Sequence, residues 1–177
     1  MRRGERGFTL VEIVVAAAIS VLVAGGASLA IFQLLKDTER TNDHLSAVRN
    51  VENAAYWINH DTQMADNLNW ESLTPPAILV LGWTDWGYDE ASVYHSVTYS
   101  IEDLSGGIGA LKRRHEDSLG SSEELMVADY VYYDAADPVN TTQLSYARPV
   151  LTLKATTRLG ESQETREFRI YCRPDFY

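Results

Sequence analysis

The sequence predicts an α+β fold in which one long N-terminal helix packs on an antiparallel β-sheet. No proline occurs before Pro75, and apolar residues recur every three or four positions as far as Leu68. The rest of the chain consists of short segments rich in Val, Ile, Thr and Tyr, separated by turn residues. Because the helical part precedes the strand-like part instead of alternating with it, the pattern indicates α+β.

The length and charge of the chain limit its organisation. Its 177 residues allow one domain of ordinary size plus one long accessory element. The formal net charge of −10 is unevenly distributed, because residues 1–7 hold three arginines and one glutamate. Residues 8–177 therefore carry about −12. So acidic a surface repels phosphate groups, and direct nucleic-acid binding is not expected without a local basic patch.

Residues 13–35 contain no charged side chain and as a helix, at about 1.5 Å per residue, would span about 35 Å. That length crosses a bilayer core of about 30 Å. Arginines lie upstream and the next basic residue is Lys36, so the positive-inside bias places the N-terminus in the cytoplasm. A secretory signal peptide cleaved near residues 24–27 is one alternative, although its apolar core is usually about 7–15 residues. A plain signal anchor is another.

Two features near the N-terminus distinguish these alternatives. Glu12 is a lone carboxylate at the edge of the apolar helix, where a charge costs roughly 2–3 kcal/mol toward the helix centre and less near the interface. It needs a specific partner, or else it reaches the interfacial water. Just upstream, Gly7 precedes Phe8, and a residue without a side chain fits a narrow protease site. Together these features indicate processing and assembly.

The segment RGFTLVEIVVA at positions 6–16 resembles the class III signal of type IV prepilins and pseudopilins. The resemblance implies that prepilin peptidase cleaves between Gly7 and Phe8 on the cytoplasmic side and methylates the new amine of Phe8. It also implies that Glu12 pairs with the N-terminal ammonium of a neighbouring subunit during filament assembly, which would offset the cost of its charge. The expected location is the inner membrane, and then a cell-surface or periplasmic filament.

The resemblance also implies a pilin-like lollipop shape, for which the chain divides into four parts. These are a cleaved leader (1–7), a transmembrane and assembly half of the helix (8–35), an amphipathic half (36–68) and a globular β-sheet domain (69–177). The helix is expected from about residue 8 to residue 65. Six strand-like segments follow at 77–81, 93–101, 109–115, 124–133, 150–157 and 165–172, with the turn of a final hairpin at 159–162.

No cofactor or metal site is expected. Asp134, Asp137 and Asn140 offer oxygen ligands for calcium in one loop, but three fall short of the usual 6–8. Cys172 is the sole cysteine, so an intramolecular disulfide is excluded. Four histidines lack ligand-like spacing and are expected at the surface: His44, His60, His95 and His115.

Two segments could contact a partner. Residues 112–114 (Lys-Arg-Arg) are the only basic run for nucleic acid, with a solvated strand end or counter-charges for nearby carboxylates as the alternative. Residues 82–95 hold four aromatic side chains that either meet a partner or cap the sheet edge: Trp83, Trp86, Tyr88 and Tyr94. The sequence contains no recognisable catalytic motif, so an enzyme is not expected.

A weaker resemblance concerns the strand pattern at 125–139 and 149–173, which is similar to the J-type minor pseudopilins and the pilus-priming minor pilins. It implies a subunit that helps to initiate or cap a type IV pilus or a type II secretion pseudopilus, packing with other subunits through N-terminal helices. The alternatives are a tip adhesin or DNA-uptake binding subunit, and a plain membrane-anchored extracytoplasmic domain. Secretion, motility and DNA-uptake machines share such an N-terminus, so the machine stays open.

Overall fold

The computed structural model describes residues 8–69, 76–86, 92–137, 139–160 and 162–172. One helix comes first, α1 (Leu10–Met64), and eight strands follow: β1 (Asn67–Asn69), β2 (Ala77–Trp86), β3 (Ser92–Ser105), β4 (Ile108–Asp117), β5 (Ser122–Tyr132), β6 (Gln143–Ala147), β7 (Val150–Leu159) and β8 (Ser162–Tyr171). The predicted α+β, pilin-like fold is confirmed, with one long helix on a curled antiparallel sheet.

The chain divides into two compact units, residues 1–41 and 42–177. In the first unit, every described residue is exposed, including the long apolar run of α1. Within the described residues, α1 is the one helix long and apolar enough to cross a membrane. Because an uninterrupted apolar surface of this length is unfavourable in water, this part of α1 is suited to lipid or to other helices.

In the second unit, one face of α1 packs on the sheet. Its buried residues recur at helical spacing: Ala47, Val51, Ala54, Ala55, Ile58, Asp61 and Thr62. They join a core made of alternate residues from the central strands, including Leu79, Leu81, Val97, Tyr99, Ile101, Leu111, Leu151 and Leu153. The helix thereby supplies the second layer that a sheet with one apolar face requires.

The three-or-four spacing predicts an apolar helix face from Leu45 to Leu68, with Asp61 among the polar residues between the apolar ones, and the observed face differs from it at three positions. Leu45 is exposed, because the packed face begins at Ala47. Asp61, which was expected among the solvated polar residues, is completely buried. Leu68 does not belong to the helix, which ends at Met64, because it lies in β1.

The end of α1 is fixed by backbone hydrogen bonds. The Ala65 N–H donates to the Asp61 carbonyl at 3.0 Å, and the next N–H, of Asp66, donates to the Gly82 carbonyl of β2 at 2.8 Å. From there the chain continues as β1, paired antiparallel with β2. Between β1 and β2 only Pro76 is described, since residues 70–75, including Pro75, lie outside the described residues.

The sheet order is β1-β2-β3-β4-β5-β7-β6, with β8 paired to β7. Six of the strands correspond to the six predicted segments. Strands β1 and β6 were not predicted, because Asn-Leu-Asn is too short to show a period and Gln-Leu-Ser-Tyr-Ala contains no β-branched residue. The predicted final hairpin is confirmed, since Leu159 pairs with Ser162 and Gly160 adopts φ +58° in the turn. Glu161 lies outside the described residues.

Candidate functional site

The processing site predicted at the N-terminus is only partly within the described chain. Residues 1–7, including Gly7, lie outside it, whereas Phe8 is described and exposed. Phe8 and Thr9 precede the first helical residue, Leu10. Cleavage between Gly7 and Phe8 and methylation of Phe8 stay predictions.

Glu12 caps the start of α1. Its Oε2 atom accepts hydrogen bonds from the Thr9 N–H at 2.8 Å and from the Thr9 hydroxyl at 2.9 Å, while the Glu12 N–H donates to Thr9 Oγ1 at 3.3 Å. This reciprocal arrangement is a capping box, and a negative charge in the first turn also suits the helix dipole. Sequence reasoning missed this role, although Thr9-Leu10-Val11-Glu12 fits the capping-box pattern and could have revealed it.

A buried ion pair connects α1 to the sheet in the second unit. Arg113 of β4 donates from Nε to Asp61 Oδ2 at 2.7 Å and from Nη2 to Asp61 Oδ1 at 3.0 Å. Asp61 is 0% exposed and Arg113 is 8% exposed. A bidentate contact of this kind is among the strongest that a carboxylate can accept.

Three further side chains complete the environment of this pair. The Tyr99 hydroxyl of β3 donates to Asp61 Oδ2 at 2.5 Å, and His60 Nδ1 lies 3.1 Å from Asp61 Oδ1. The guanidinium carbon of Arg113 lies 5.1 Å from the centroid of the Trp57 ring, a cation–π distance. We refer to Trp57, His60, Asp61, Tyr99 and Arg113 as the α1–sheet lock.

The pKa values of the lock follow from these contacts. Burial raises the pKa of the Asp61 carboxyl, but the hydrogen bonds from Arg113, Tyr99 and His60 together outweigh burial, so the pKa lies below its usual value. Burial also acts to lower the pKa of Arg113, yet Asp61 raises it on balance. The pKa of the Tyr99 hydroxyl is strongly raised by burial and by the neighbouring carboxylate. The lock is therefore an ionised pair with a neutral tyrosine at neutral pH.

The basic run at 112–114 does not form a free cationic patch. Its central residue, Arg113, belongs to the α1–sheet lock. Lys112 Nζ lies 2.9 Å from Glu102 Oε2 and 3.3 Å from Asp103 Oδ2, and Arg114 Nη2 lies 2.8 Å from Glu124 Oε2. These residues thus act as counter-charges for neighbouring carboxylates, the alternative to a nucleic-acid contact.

Two histidines expected at the surface instead form a cluster on the helix side of the sheet. Their side chains are partly buried, and His95 Nδ1 lies 3.1 Å from His115 Nε2. Both rings lie against the Trp83 ring, at centroid distances of 5.2 and 5.6 Å. Asp85 Oδ2 lies 3.3 Å from the other nitrogen of His95. The β3–β4 register, which pairs His115 with Val97, produces this contact.

The aromatic segment at 82–95 separates into buried and exposed side chains. Trp83 is 5% exposed and belongs to the core, whereas Trp86 is 76% exposed and Tyr94 is 45% exposed. Tyr88 lies outside the described residues. Trp83 therefore has a packing role, and Trp86 is available for contacts.

The loop considered for calcium uses its oxygen atoms internally. Asp134 Oδ1 accepts from the Ala136 N–H at 2.9 Å, and the Asp137 carboxylate accepts from the side chain of Asn140 at 3.0 Å. Lys154 Nζ donates to the carbonyl oxygen of Val139, which places a cation in the same loop. Within the described residues, no group of three or more His, Cys, Asp or Glu side chains could hold a metal ion.

Comparison with known proteins bears on the N-terminal segment. Residues 2–28 match a family model described as the prokaryotic N-terminal methylation motif. This segment is a type IV prepilin-like signal. It supports a type IV pilin- or pseudopilin-like protein that is anchored in a membrane, is processed by prepilin peptidase and assembles with other pilin subunits. No curated protein and no solved structure gives a significant match to the chain.

The prepilin-like signal contains Gly7, Phe8 and Glu12, and it ends before the second unit begins. The match therefore applies to the processing segment and to the apolar part of α1. The lock, the histidine cluster and the sheet lie in residues that the signal does not cover.

Proposed function

We propose that this protein is a minor pilin or pseudopilin that helps to initiate or cap the assembly of a type IV pilus or of a type II secretion pseudopilus. The observation that carries the proposal is the prepilin-like signal at 2–28 on a chain with the pilin-like fold. The strand pattern at 125–139 and 149–173, similar to that of the J-type minor subunits, favours a minor role. The role is structural and not enzymatic.

In this proposal, prepilin peptidase cleaves between Gly7 and Phe8 and methylates the amine of Phe8. Phe8 is exposed and precedes the first helical residue by two positions, so the scissile bond adjoins non-helical backbone. Cleavage removes the basic leader, and the new amine lies one residue before the Thr9 cap. The apolar part of α1 holds the precursor in the inner membrane, with its N-terminus in the cytoplasm.

Glu12 has two functions in this proposal. Within its own chain it caps α1 through Thr9. Both of these hydrogen bonds use Oε2, and their donors are neutral, so they do not neutralise the carboxylate. The N-terminal ammonium of a neighbouring subunit would neutralise it and would recover part of the cost of placing a charge in an apolar environment.

The test of processing is intact mass and N-terminal sequencing of the protein extracted from the membrane of a host that has prepilin peptidase. A mature chain that begins with N-methylated Phe8 supports the proposal, and the same host without the peptidase should yield the uncleaved precursor. A chain that still begins at Met1 or Arg2 in the peptidase-containing host refutes it and leaves a plain membrane-anchored domain.

The minor role has a separate test. Deleting the gene should reduce the number of filaments while the cellular amount of the major subunit stays the same, and the tagged protein should occur in purified filaments at far below one copy per major subunit. Equal stoichiometry with the other subunits would show a major pilin and would refute initiation or capping.

A further inference from the structure

Strands β3 and β4 bring two histidines into direct contact, although 20 positions separate them in the sequence. His95 Nδ1 lies 3.1 Å from His115 Nε2, and the two rings are inclined by 25° with their centroids 5.2 Å apart. The contact therefore joins one ring nitrogen to another. At this distance it is a hydrogen bond, in which one nitrogen donates a proton and the other offers its lone pair.

The carboxylate of Asp85 favours one arrangement of the protons. Its Oδ2 atom lies 3.3 Å from His95 Nε2, so a proton on that nitrogen faces a negative charge. His95 Nδ1 then holds a lone pair, and His115 Nε2 donates the shared hydrogen bond. Metal-binding histidines commonly have the same arrangement, in which a carboxylate near the second ring nitrogen leaves the first one free to coordinate.

The separation of the two nitrogens also fits a shared metal ion. An imidazole nitrogen lies about 2.0–2.1 Å from zinc, so two such nitrogens are about 2.9 Å apart at a right angle and about 3.3 Å apart at the tetrahedral angle. The observed 3.1 Å lies between these values. A metal ion can therefore replace the shared proton with little movement of either strand, once the His115 proton has passed through water from Nε2 to Nδ1.

The surroundings of this histidine pair are acidic. Asp117 is directly opposite His95 in the strand register, and Glu123 is directly opposite His115. Because directly opposite residues point to the same face of a sheet, both carboxylates lie on the face that carries the pair. Arg113 lies on this face too, but its charge is neutralised within the α1–sheet lock. Carboxylates that surround a site in this way attract cations.

Trp83 lies against both imidazole rings and has a polar atom without a partner. Its ring is nearly parallel to them, at 21° to His95 and 9° to His115. Trp83 is 5% exposed, and its Nε1–H has no hydrogen-bond partner among the described residues. A buried donor of this kind indicates an acceptor that the protein itself does not supply. A water molecule coordinated to a metal ion is such an acceptor.

We propose that His95 and His115 bind a late first-row transition-metal dication, with Cu²⁺ bound more tightly than Zn²⁺. Imidazole is a preferred ligand of both ions, whereas Mg²⁺ and Ca²⁺ prefer oxygen. The pair supplies two protein ligands, fewer than a zinc centre with three or four, so water fills the remaining positions. The bound ion links β3 to β4 beside Trp83. This site is independent of processing at the N-terminus and of filament assembly.

Copper binding to the full-length, untagged protein in detergent tests the proposal. The protein should bind about one equivalent of Cu²⁺, and electron paramagnetic resonance of the complex should show two coordinated imidazole nitrogens. Zn²⁺ should compete for the same site with lower affinity, whereas Mg²⁺ and Ca²⁺ should leave the spectrum unchanged. A spectrum with oxygen ligands alone, or a protein that binds no copper, would overturn the proposal.

Substitutions assign the nitrogen ligands to residues. His95→Asn and His115→Asn should each raise the dissociation constant of Cu²⁺ at least about 100-fold, and Asp85→Asn, which keeps both ligands, should raise it about tenfold. The control is His44→Asn, which removes an exposed histidine outside the pair and should change the constant less than about twofold. Unchanged affinity in His95→Asn or in His115→Asn would place the copper elsewhere and refute the site.

Isotope labelling of the unsubstituted protein gives a test that does not depend on the folding of a variant. Circular dichroism of each metal-free variant shows whether the substitution by itself disturbs the sheet. If His95→Asn or His115→Asn does not fold, the decisive measurement is copper resonance of the natural sequence with isotopically labelled histidine nitrogens. Labelling should change the nitrogen hyperfine splitting, and a spectrum that is insensitive to it would refute coordination by histidine.

Discussion

Replacing Arg113 with Met should destabilise the second unit more than any exposed substitution. The change removes two hydrogen bonds to Asp61, at 2.7 and 3.0 Å, and leaves a carboxylate with 0% exposure paired only with neutral donors or with His60. Breaking a buried pair by removing one partner typically costs about 3–5 kcal/mol. We therefore expect the free energy of unfolding to fall by about that amount at pH 7.

A matched set of variants separates the cost of an unpaired charge from the net value of the pair. The triple variant replaces Asp61 with Leu, Arg113 with Met and Tyr99 with Phe. It removes both charges and the tyrosine hydroxyl together, so no buried polar group of the ion pair is left without its partner. Well-packed apolar replacements of buried ion pairs are often neutral or stabilising by about 1–4 kcal/mol. The triple variant should therefore be close to the wild type or more stable, although each single charge removal is costly.

The assay is urea unfolding of the full-length protein in mild detergent, followed by near-ultraviolet circular dichroism. The Trp57 signal should change in the Arg113→Met variant, because the guanidinium lies over that ring. A cost below about 1 kcal/mol for Arg113→Met would fall in the range of exposed ion pairs. Such a value, or a triple variant as unstable as the single one, would refute the assigned burial of the lock.

The remaining predictions concern acid, the helix cap and the last hairpin. The pKa of Asp61 in the folded protein lies below its unfolded value of about 3.9. The ionised Asp61 therefore stabilises the fold fully above about pH 3.9, and this stabilisation is lost as the pH falls through the folded-state pKa. Between pH 5 and the acid limit of urea titrations, the Asp61→Asn variant should therefore lose less stability than the wild type. A parallel loss in both proteins would contradict this. Glu12→Gln should leave the start of α1 unchanged, because a capping box accepts Gln, but it should abolish the incorporation of the protein into filaments. Normal incorporation of the variant into purified filaments would show that Glu12 acts only as a helix cap. Gly160→Ala should lower the free energy of unfolding in urea by about 1–3 kcal/mol. The loss should exceed that of the control Gly106→Ala, because the added Cβ at position 160 would lie 2.7 Å from Asp43 Oδ2, whereas at position 106 it would meet nothing within 4 Å. Equal costs would show that Asp43 moves aside.

The sequence predicted the fold because its strongest signals are local. Helical spacing, the absence of proline before residue 75 and the six β-rich segments all describe neighbours along the chain. The final hairpin was predictable for the same reason, since the turn residues Gly160-Glu161-Ser162 lie between two strand-like segments. Strands β1 and β6 were missed because their own residues, Asn-Leu-Asn and Gln-Leu-Ser-Tyr-Ala, do not favour a strand, and their strand structure comes from pairing with β2 and β7.

The α1–sheet lock was missed because its members lie far apart in sequence. Arg113 and Asp61 are separated by 52 positions, and their contact depends on how the helix lies over β4. One signal was present nevertheless. Asp61 follows Ile58 by three positions and precedes Ala65 by four, so helical spacing assigns it to the apolar face. A carboxylate at such a position predicts a buried cation on the facing layer.

Asp61 and Glu12 show the same electrostatic requirement in two environments. Asp61 is removed from water by the sheet, and its charge is balanced within the chain by the Arg113 guanidinium. Glu12 lies at the start of an apolar helix, where Thr9 supplies hydrogen bonds but no positive charge. Glutamine would make the same capping hydrogen bonds and would lose only the helix-dipole contribution, typically about 0.3–1 kcal/mol. That contribution is smaller than the cost of an ionised group toward the centre of an apolar helix, roughly 2–3 kcal/mol, so a cation near Glu12 is needed to offset the rest. In the proposed mature protein the basic leader is gone, and the N-terminal ammonium of a neighbouring subunit is the cation that assembly would bring to Glu12.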